Sequence, residues 1–208
     1  MGQGVNTPIL CQQVPRIGNR LTYWLGSKTL SMMGWSYSGE FPNLAKMIII
    51  IAPHTSNWDF VIGLAVTFNL RLKISFLGKH SIFFWPFNLL LRRLGGIPIE
   101  RSHAHGVVGA MTAQMSDAQQ MVLCLSPEGT RSAITPWKTG FLHIANKANV
   151  PVFLVAFDFK KKRIEFGPVH QIGDNVQDEL NRIYRHYQNV QAKFPTKVLT
   201  TVEPDIEK

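Results

Sequence analysis

An α/β fold is predicted for this chain: one domain with a mixed, largely parallel sheet flanked by helices. Three observations predict it. Apolar, β-branched runs such as Ile48–Ile51, Met121–Leu125 and Val150–Phe157 have the unbroken character of strands buried on both faces. Segments of helical length, among them Asp59–Leu70 and Trp137–Asn149, alternate with them, and no internal repeat or linker intervenes. The runs stop at Pro, Gly or polar clusters, the punctuation of strand ends and loops. With 208 residues the chain is long enough for a single core that buries about 70% of its unfolded surface.

Taken in order, residues 1–40 are expected to form an amphipathic helical segment packed on the domain or on a membrane. Arg20 to Trp35 carries Leu21, Trp24, Leu25, Met32 and Met33 beside Lys28, with tryptophans and cations at the margins. Gly26, Gly34 and the turn-rich stretch Ser38–Asn43 argue for one or two short helices there rather than one long one. The domain proper is expected over residues 41–208. Ile48–Ile51 opens it as a buried strand that ends at Pro53, and a helix follows over Asp59–Leu70. Lys73–Gly78 suits a second strand. Ile82–Leu94 is strongly apolar and aromatic, with Arg92 and Arg93 near its end, and Gly95-Gly96 stops it. A short strand at Ile97–Ile99 leads to Ser102, which can cap a helix running to about Gln120. After Met121–Leu125 come a helix over Trp137–Asn149, the strand Val150–Phe157 and a neighbour at Arg163–Phe166. Val176, Leu180, Ile183, Tyr184, Tyr187 and Val190 then define an amphipathic helix, and the tail beyond Pro195 is loose.

Composition narrows the class. Hydrophobic residues make up 45% of the chain and charged residues 17%, so disorder is not indicated. The two cysteines, Cys11 and Cys124, form no disulfide framework and fit a reducing cytosol. No apolar run approaches the ~20 residues that span a bilayer. A net charge of +9 implies an anionic partner: lipid headgroups, a phosphorylated substrate, an acidic carrier or nucleic acid.

Polar clusters follow several predicted strands. His54 and Asp59 follow the first, Lys79 the second, Arg101 the run IPIE, and Glu128-Gly129-Thr130-Arg131 the run VLCLSP. In a parallel sheet such ends converge on one edge, where ligands bind. A His backed by a carboxylate can take a proton from a hydroxyl while the carboxylate fixes the tautomer. Arg presents a planar fork to phosphate oxygens, Lys a point charge, and Gly129 leaves room for backbone amides to approach an anion. Glu128 reads equally as an acceptor contact or as a structural residue of its turn. His103 and His105 read as a helix-start pair; no metal site is expected, since no HExxH or matched cysteine set accompanies them.

HTSNWD (54–59), GGIPIER (95–101), SPEGTR (126–131) and VPVFLV (150–155) stand in an order and spacing that resembles the glycerolipid acyltransferase family, which includes 1-acylglycerol-3-phosphate and glycerol-3-phosphate acyltransferases. The resemblance implies a glycerol-3-phosphate acyltransferase-like fold and a His-x4-Asp catalytic dyad at His54 and Asp59, working without a covalent acyl-enzyme. It implies acceptor or phosphate binding by Arg101, Glu128, Gly129, Thr130 and Arg131, with Lys79 contributing. The implied reaction moves a fatty acyl group from acyl-CoA or acyl-carrier protein, as co-substrate rather than cofactor, to a lysophospholipid hydroxyl, with 1-acylglycerol-3-phosphate the leading acceptor. An anionic membrane surface is the expected partner and nucleic acid is not; the expected location is cytoplasmic, peripheral to the inner membrane face. Pro53, Pro98, Glu100 and Ser126 depart from the residues common at those positions in the family, and two of the blocks concerned are those where acceptor recognition is expected. A hydrolase using the same His/Asp pair and a non-enzymatic anion-binding module are the alternatives from other classes.

Overall fold

β2 (Lys46–Ala52) shows why the central strands are apolar along most of their length. Ile48, Ile50 and Ala52 point into one core, and Met47 and Ile49 into a second core on the opposite face. The computed structural model describes residues 7–100, 104–129 and 137–197, so the expected site residues Arg101, Thr130 and Arg131 lie outside the described residues.

Seven strands form one sheet in the order β1-β7-β6-β2-β5-β3-β4. The other six are β1 (Ser36–Ser38), β3 (Ser75–Lys79), β4 (Gly96–Ile99), β5 (Met121–Leu125), β6 (Val152–Asp158) and β7 (Arg163–His170). β2 pairs in parallel with both β5 and β6, and β3 with both β4 and β5. β7 returns antiparallel to β6 and carries β1 at the edge. The α/β class and the mixed, largely parallel sheet of a single domain are therefore as the sequence predicts.

Helices cover both faces. α1 (Arg20–Met33) and α2 (Asn57–Leu70) send Leu30, Ile62, Ala65 and Val66 into the core that holds Met47 and Ile49. α4 (Ala104–Asp117), α5 (Gly140–Ala148) and α6 (Val176–Tyr187) send Met111, Met115, Phe141, Leu180 and Ile183 into the core that holds Ile48 and Ile50. The Tyr187 hydroxyl donates 2.8 Å to the Ile50 carbonyl, tying α6 to the strand before the site. α3 (Phe87–Arg93) follows a 3₁₀ turn at His80–Ile82 and bridges β3 to β4.

The N-terminal segment differs from the expectation at Gly26. α1 runs through it without a break, capped by Asn19 at its start and by left-handed Gly34 at its end. A Cβ at Gly26 would sit 2.5 Å from the Ala65 carbonyl oxygen and 2.5 Å from the Asn69 amide nitrogen. This glycine is a contact point between two helices, not a turn. β1 is also missing from the sequence reading; three residues at a sheet edge leave little periodicity to detect.

The winding of the chain sets where a ligand can bind. From β2 the chain leaves by α2 on one face and passes over to β3, whereas from β5 it leaves by α5 on the other face and passes over to β6. The adjacent ends of β2 and β5 thus lose their chains to opposite faces and leave a crevice between them.

Candidate active site

His54 follows β2 at this crevice, and its position is fixed by how α2 begins. Ser56 is the N-cap of α2, and Asp59 occupies the third helical position of a reciprocal capping box. Asp59 Oδ2 accepts from the Thr55 N–H at 2.9 Å and the Ser56 N–H at 2.8 Å. The same oxygen lies 3.0 Å from His54 Nδ1. One carboxylate therefore caps the helix and holds the ring, which gives the five-residue separation of His54 and Asp59 a local physical cause. The His54 side chain is 24% exposed and that of Asp59 only 2%, so the ring meets solvent while its partner is sealed. With Nδ1 engaged as donor to the carboxylate, Nε2 is left as the basic nitrogen.

Glu128, at the end of β5, reaches across the crevice. Its Oε1 accepts from the His54 backbone N–H at 3.1 Å, and the Ser126 hydroxyl donates to its Oε2. Burial pushes the Glu128 carboxyl above its usual value, and these hydrogen bonds pull in the opposite direction without cancelling the rise. The structure thus places Glu128 on the backbone of the candidate base, 74 residues away in sequence. Gly129 next to it has φ +63°, and a Cβ there would lie 3.2 Å from the Lys138 side chain. Lys138, which the sequence reading passed over, is brought to this turn by its own N–H, which donates 2.9 Å to the Pro127 carbonyl. No motif surrounds Lys138; its placement at the turn rests on this backbone hydrogen bond.

Lys79 is exposed at the end of β3, two strands from β2 and so about 10 Å across the sheet. It shares the edge with His54 and Glu128, and among the described residues no hydrogen bond or ion pair joins it to either. Along β4, Ile97, Pro98, Ile99 and Glu100 line an apolar groove of about 340 Å³ against Val107 and Met111 of α4.

The sequence pattern of the family described as Acyltransferase matches residues 37–158, more than half of the chain, and this stretch contains His54, Asp59 and Glu128. The chain belongs to the acyltransferase family. Among its relatives are 1-acyl-sn-glycerol-3-phosphate acyltransferases of Haemophilus influenzae, 27% identical over 142 residues, and Escherichia coli, 29% identical over 129 residues. The matches cover 64% and 59% of this chain and 57% and 51% of those enzymes, so the chain is matched along little more than half of their length. The crystal structure of the 1-acyl-sn-glycerophosphate acyltransferase PlsC from Thermotoga maritima shares the fold, with a TM-score of 0.56 at 15% identity over 84% of this chain and 81% of that one.

Within this acyltransferase domain, Cys124 is poorly suited to act as a nucleophile. Burial pushes the Cys124 thiol up to about 12, so it stays protonated and unreactive. Cys11 lies outside the matched region.

Proposed function

We propose that this acyltransferase moves a fatty acyl group from a thioester donor, acyl-CoA or acyl-carrier protein, to a lysophospholipid hydroxyl, with 1-acylglycerol-3-phosphate as the first acceptor to test. The observation that carries the reading is His54 Nδ1 held 3.0 Å from a sealed Asp59 carboxylate at the edge where the sheet's winding reverses. In this mechanism Nε2 takes the proton of the acceptor hydroxyl as its oxygen attacks the thioester carbonyl carbon. The tetrahedral oxyanion collapses, the C–S bond breaks, and the leaving thiolate takes the proton back from the imidazolium. General-base assistance of this kind is worth about 10²–10⁴-fold. The acceptor's phosphate would meet Lys79, Arg101 and Arg131, and Glu128, Gly129 and Thr130 would shape that side of the crevice.

A membrane surface fits as the source of the acceptor. Trp24 and Met32 of α1, Phe60 of α2, and Phe84, Trp85 and Phe87 between β3 and β4 are all exposed, Trp85 to 88%. Basic Lys28, Arg92 and Arg93 are exposed on the same elements, which suits an interfacial surface over anionic headgroups. Among the described residues no helix is long and apolar enough to cross a membrane. Peripheral docking on the inner face of the membrane is the arrangement proposed.

The test is incubation of the protein with a panel of lysolipids and labelled acyl-CoA or acyl-carrier protein, with products identified by mass. Acylated lysophosphatidate is expected, and His54→Ala should fold normally yet lose about 10²–10⁴-fold in rate. Thioester cleavage at the same rate without any acceptor would make the protein a hydrolase, and near-parental transfer by His54→Ala would remove the base from the mechanism.

A further inference from the structure

The crevice has a second flank that the mechanism above does not use. Beyond β2 the sheet continues to β6 and β7, and the hairpin between them emerges on the same edge as His54. This hairpin, the end of α1, the start of α2 and the segment after α6 enclose an open groove of about 500 Å³. Trp35, Trp58 and Phe159 line it together with Lys160, Lys162 and Lys193.

Most of the charge there is not neutralised by acids among the described residues. Lys161 is the hairpin cation that pairs with acids, 3.1 Å from Asp158 and 3.2 Å from Glu165. No carboxylate pairs with Lys160, Lys162 or Lys193 among the described residues. All three are exposed, and Lys193 stands 5.8 Å over the Phe159 ring. Three unpaired ammonium groups and a half-exposed indole facing one groove suit a ligand with several phosphates and a flat ring.

The groove is also joined to the catalytic turn. Trp58 is the residue before Asp59, and the Phe194 N–H donates 3.2 Å to the hydroxyl of Thr55, the neighbour of His54. A ligand anchored at the lysines therefore lies beside the loop that carries the base, on the side away from Lys79 and Glu128. Two anionic substrates would then approach His54 from opposite flanks of the sheet.

We propose that this groove binds the 3′-phospho-ADP portion of coenzyme A, with the phosphates on Lys160, Lys162 and Lys193 and the adenine against Trp58, so that acyl-CoA is the donor. The inference rests on the acyl-transfer reading for its role but not for its existence as a site. The pantetheine arm, about 14 Å on the scale of four peptide units, spans from such an anchor toward the catalytic turn. The groove's volume lies within the ~300–1,000 Å³ range of small-molecule sites, and the Trp58 ring beside the lysines offers an adenine a stacking partner.

Calorimetric titration of the purified protein with free CoA, dephospho-CoA and pantetheine tests the site without any turnover. CoA should bind more tightly than dephospho-CoA, and pantetheine weakest, with the preference for CoA declining as salt is raised. K160E/K162E should weaken CoA about tenfold or more and leave pantetheine unchanged, while K147E, the same kind of charge reversal on α5 across the sheet, should change neither. The KM for acyl-CoA should rise in K160E/K162E. Equal affinity of the unaltered protein for CoA and pantetheine overturns the proposal, whatever the variants do. So does a K160E/K162E protein that keeps its CoA affinity while losing acyl-carrier protein or vesicles rich in phosphatidylglycerol. Tight, lysine-dependent CoA binding by a protein that transfers no acyl group would uphold the groove and reject the acyl-transfer reading instead.

Discussion

Asp59→Asn puts the largest demand on the site because one oxygen atom does three things. Oδ2 accepts from two backbone N–H groups at 2.9 and 2.8 Å and holds His54 Nδ1 at 3.0 Å. Hydrogen bonds to a charged acceptor contribute about 1.5–3 kcal/mol and neutral ones about half that, so three weakened contacts sum to a loss of about 3 kcal/mol. Asparagine brings a second difficulty. Asp59 Oδ1 is buried with no hydrogen-bond partner, so an amide that keeps its oxygen on the three donors leaves its NH₂ without an acceptor. For a chain of this size, 3 kcal/mol corresponds to a fall in Tm of about 6–12 °C. Scanning by circular dichroism reads this loss, and initial acyl-transfer rates read the second effect, a fall of about 10²–10⁴-fold as the imidazolium loses its counter-charge. A variant melting within about 2 °C of the parent would show that the capping role is negligible on the scale expected for lost charged hydrogen bonds. Retention of the parental rate would show that the carboxylate does not serve the ring.

The other expectations concern different parts of the molecule. Gly26→Ala gains about 1 kcal/mol of helix propensity but forces α1 away from the Ala65 carbonyl, at a cost of about 1–3 kcal/mol or more; a net fall in Tm is expected, and a more stable variant would refute the close helix contact. Glu128 holds its proton to higher pH in the folded state than in the unfolded chain, so its contribution to stability is complete below the ordinary value of 4.5 and is lost as pH rises through the raised folded value. Glu128→Gln removes that dependence, so its Tm relative to the parent should climb as pH rises above the ordinary value of 4.5, and a pH-independent difference would contradict the burial argument. Trp85→Ser with Phe87→Ser removes two exposed rings from the proposed docking face, and co-sedimentation with phosphatidylglycerol vesicles should weaken about 10–100-fold. Unchanged sedimentation would move the membrane contact elsewhere.

Much of this architecture can be read along the chain. The apolar runs mark β2, β5 and β6 because a strand buried on both faces needs apolar residues on both of its sides. The pairing of His54 with Asp59 is legible too, since both belong to one helix start and are joined by hydrogen bonds spanning only a few residues. The β1 edge and the role of Gly26 were not legible. A three-residue edge strand has no pattern of its own, and a glycine chosen for contact looks in sequence like one chosen for a turn.

The sequence by itself determined the strand–helix alternation and the pairing of His54 with Asp59, because backbone hydrogen bonds and capping act over a few residues. Only the tertiary structure decided that β5 inserts between β2 and β3, which sets Glu128 against the His54 amide across 74 residues. It alone gathered Trp35, Trp58, Lys160, Lys162 and Lys193 around one groove. Those neighbours are chosen by strand order and by the packing of two cores, and no local property of the chain encodes a contact between residues more than a hundred positions apart.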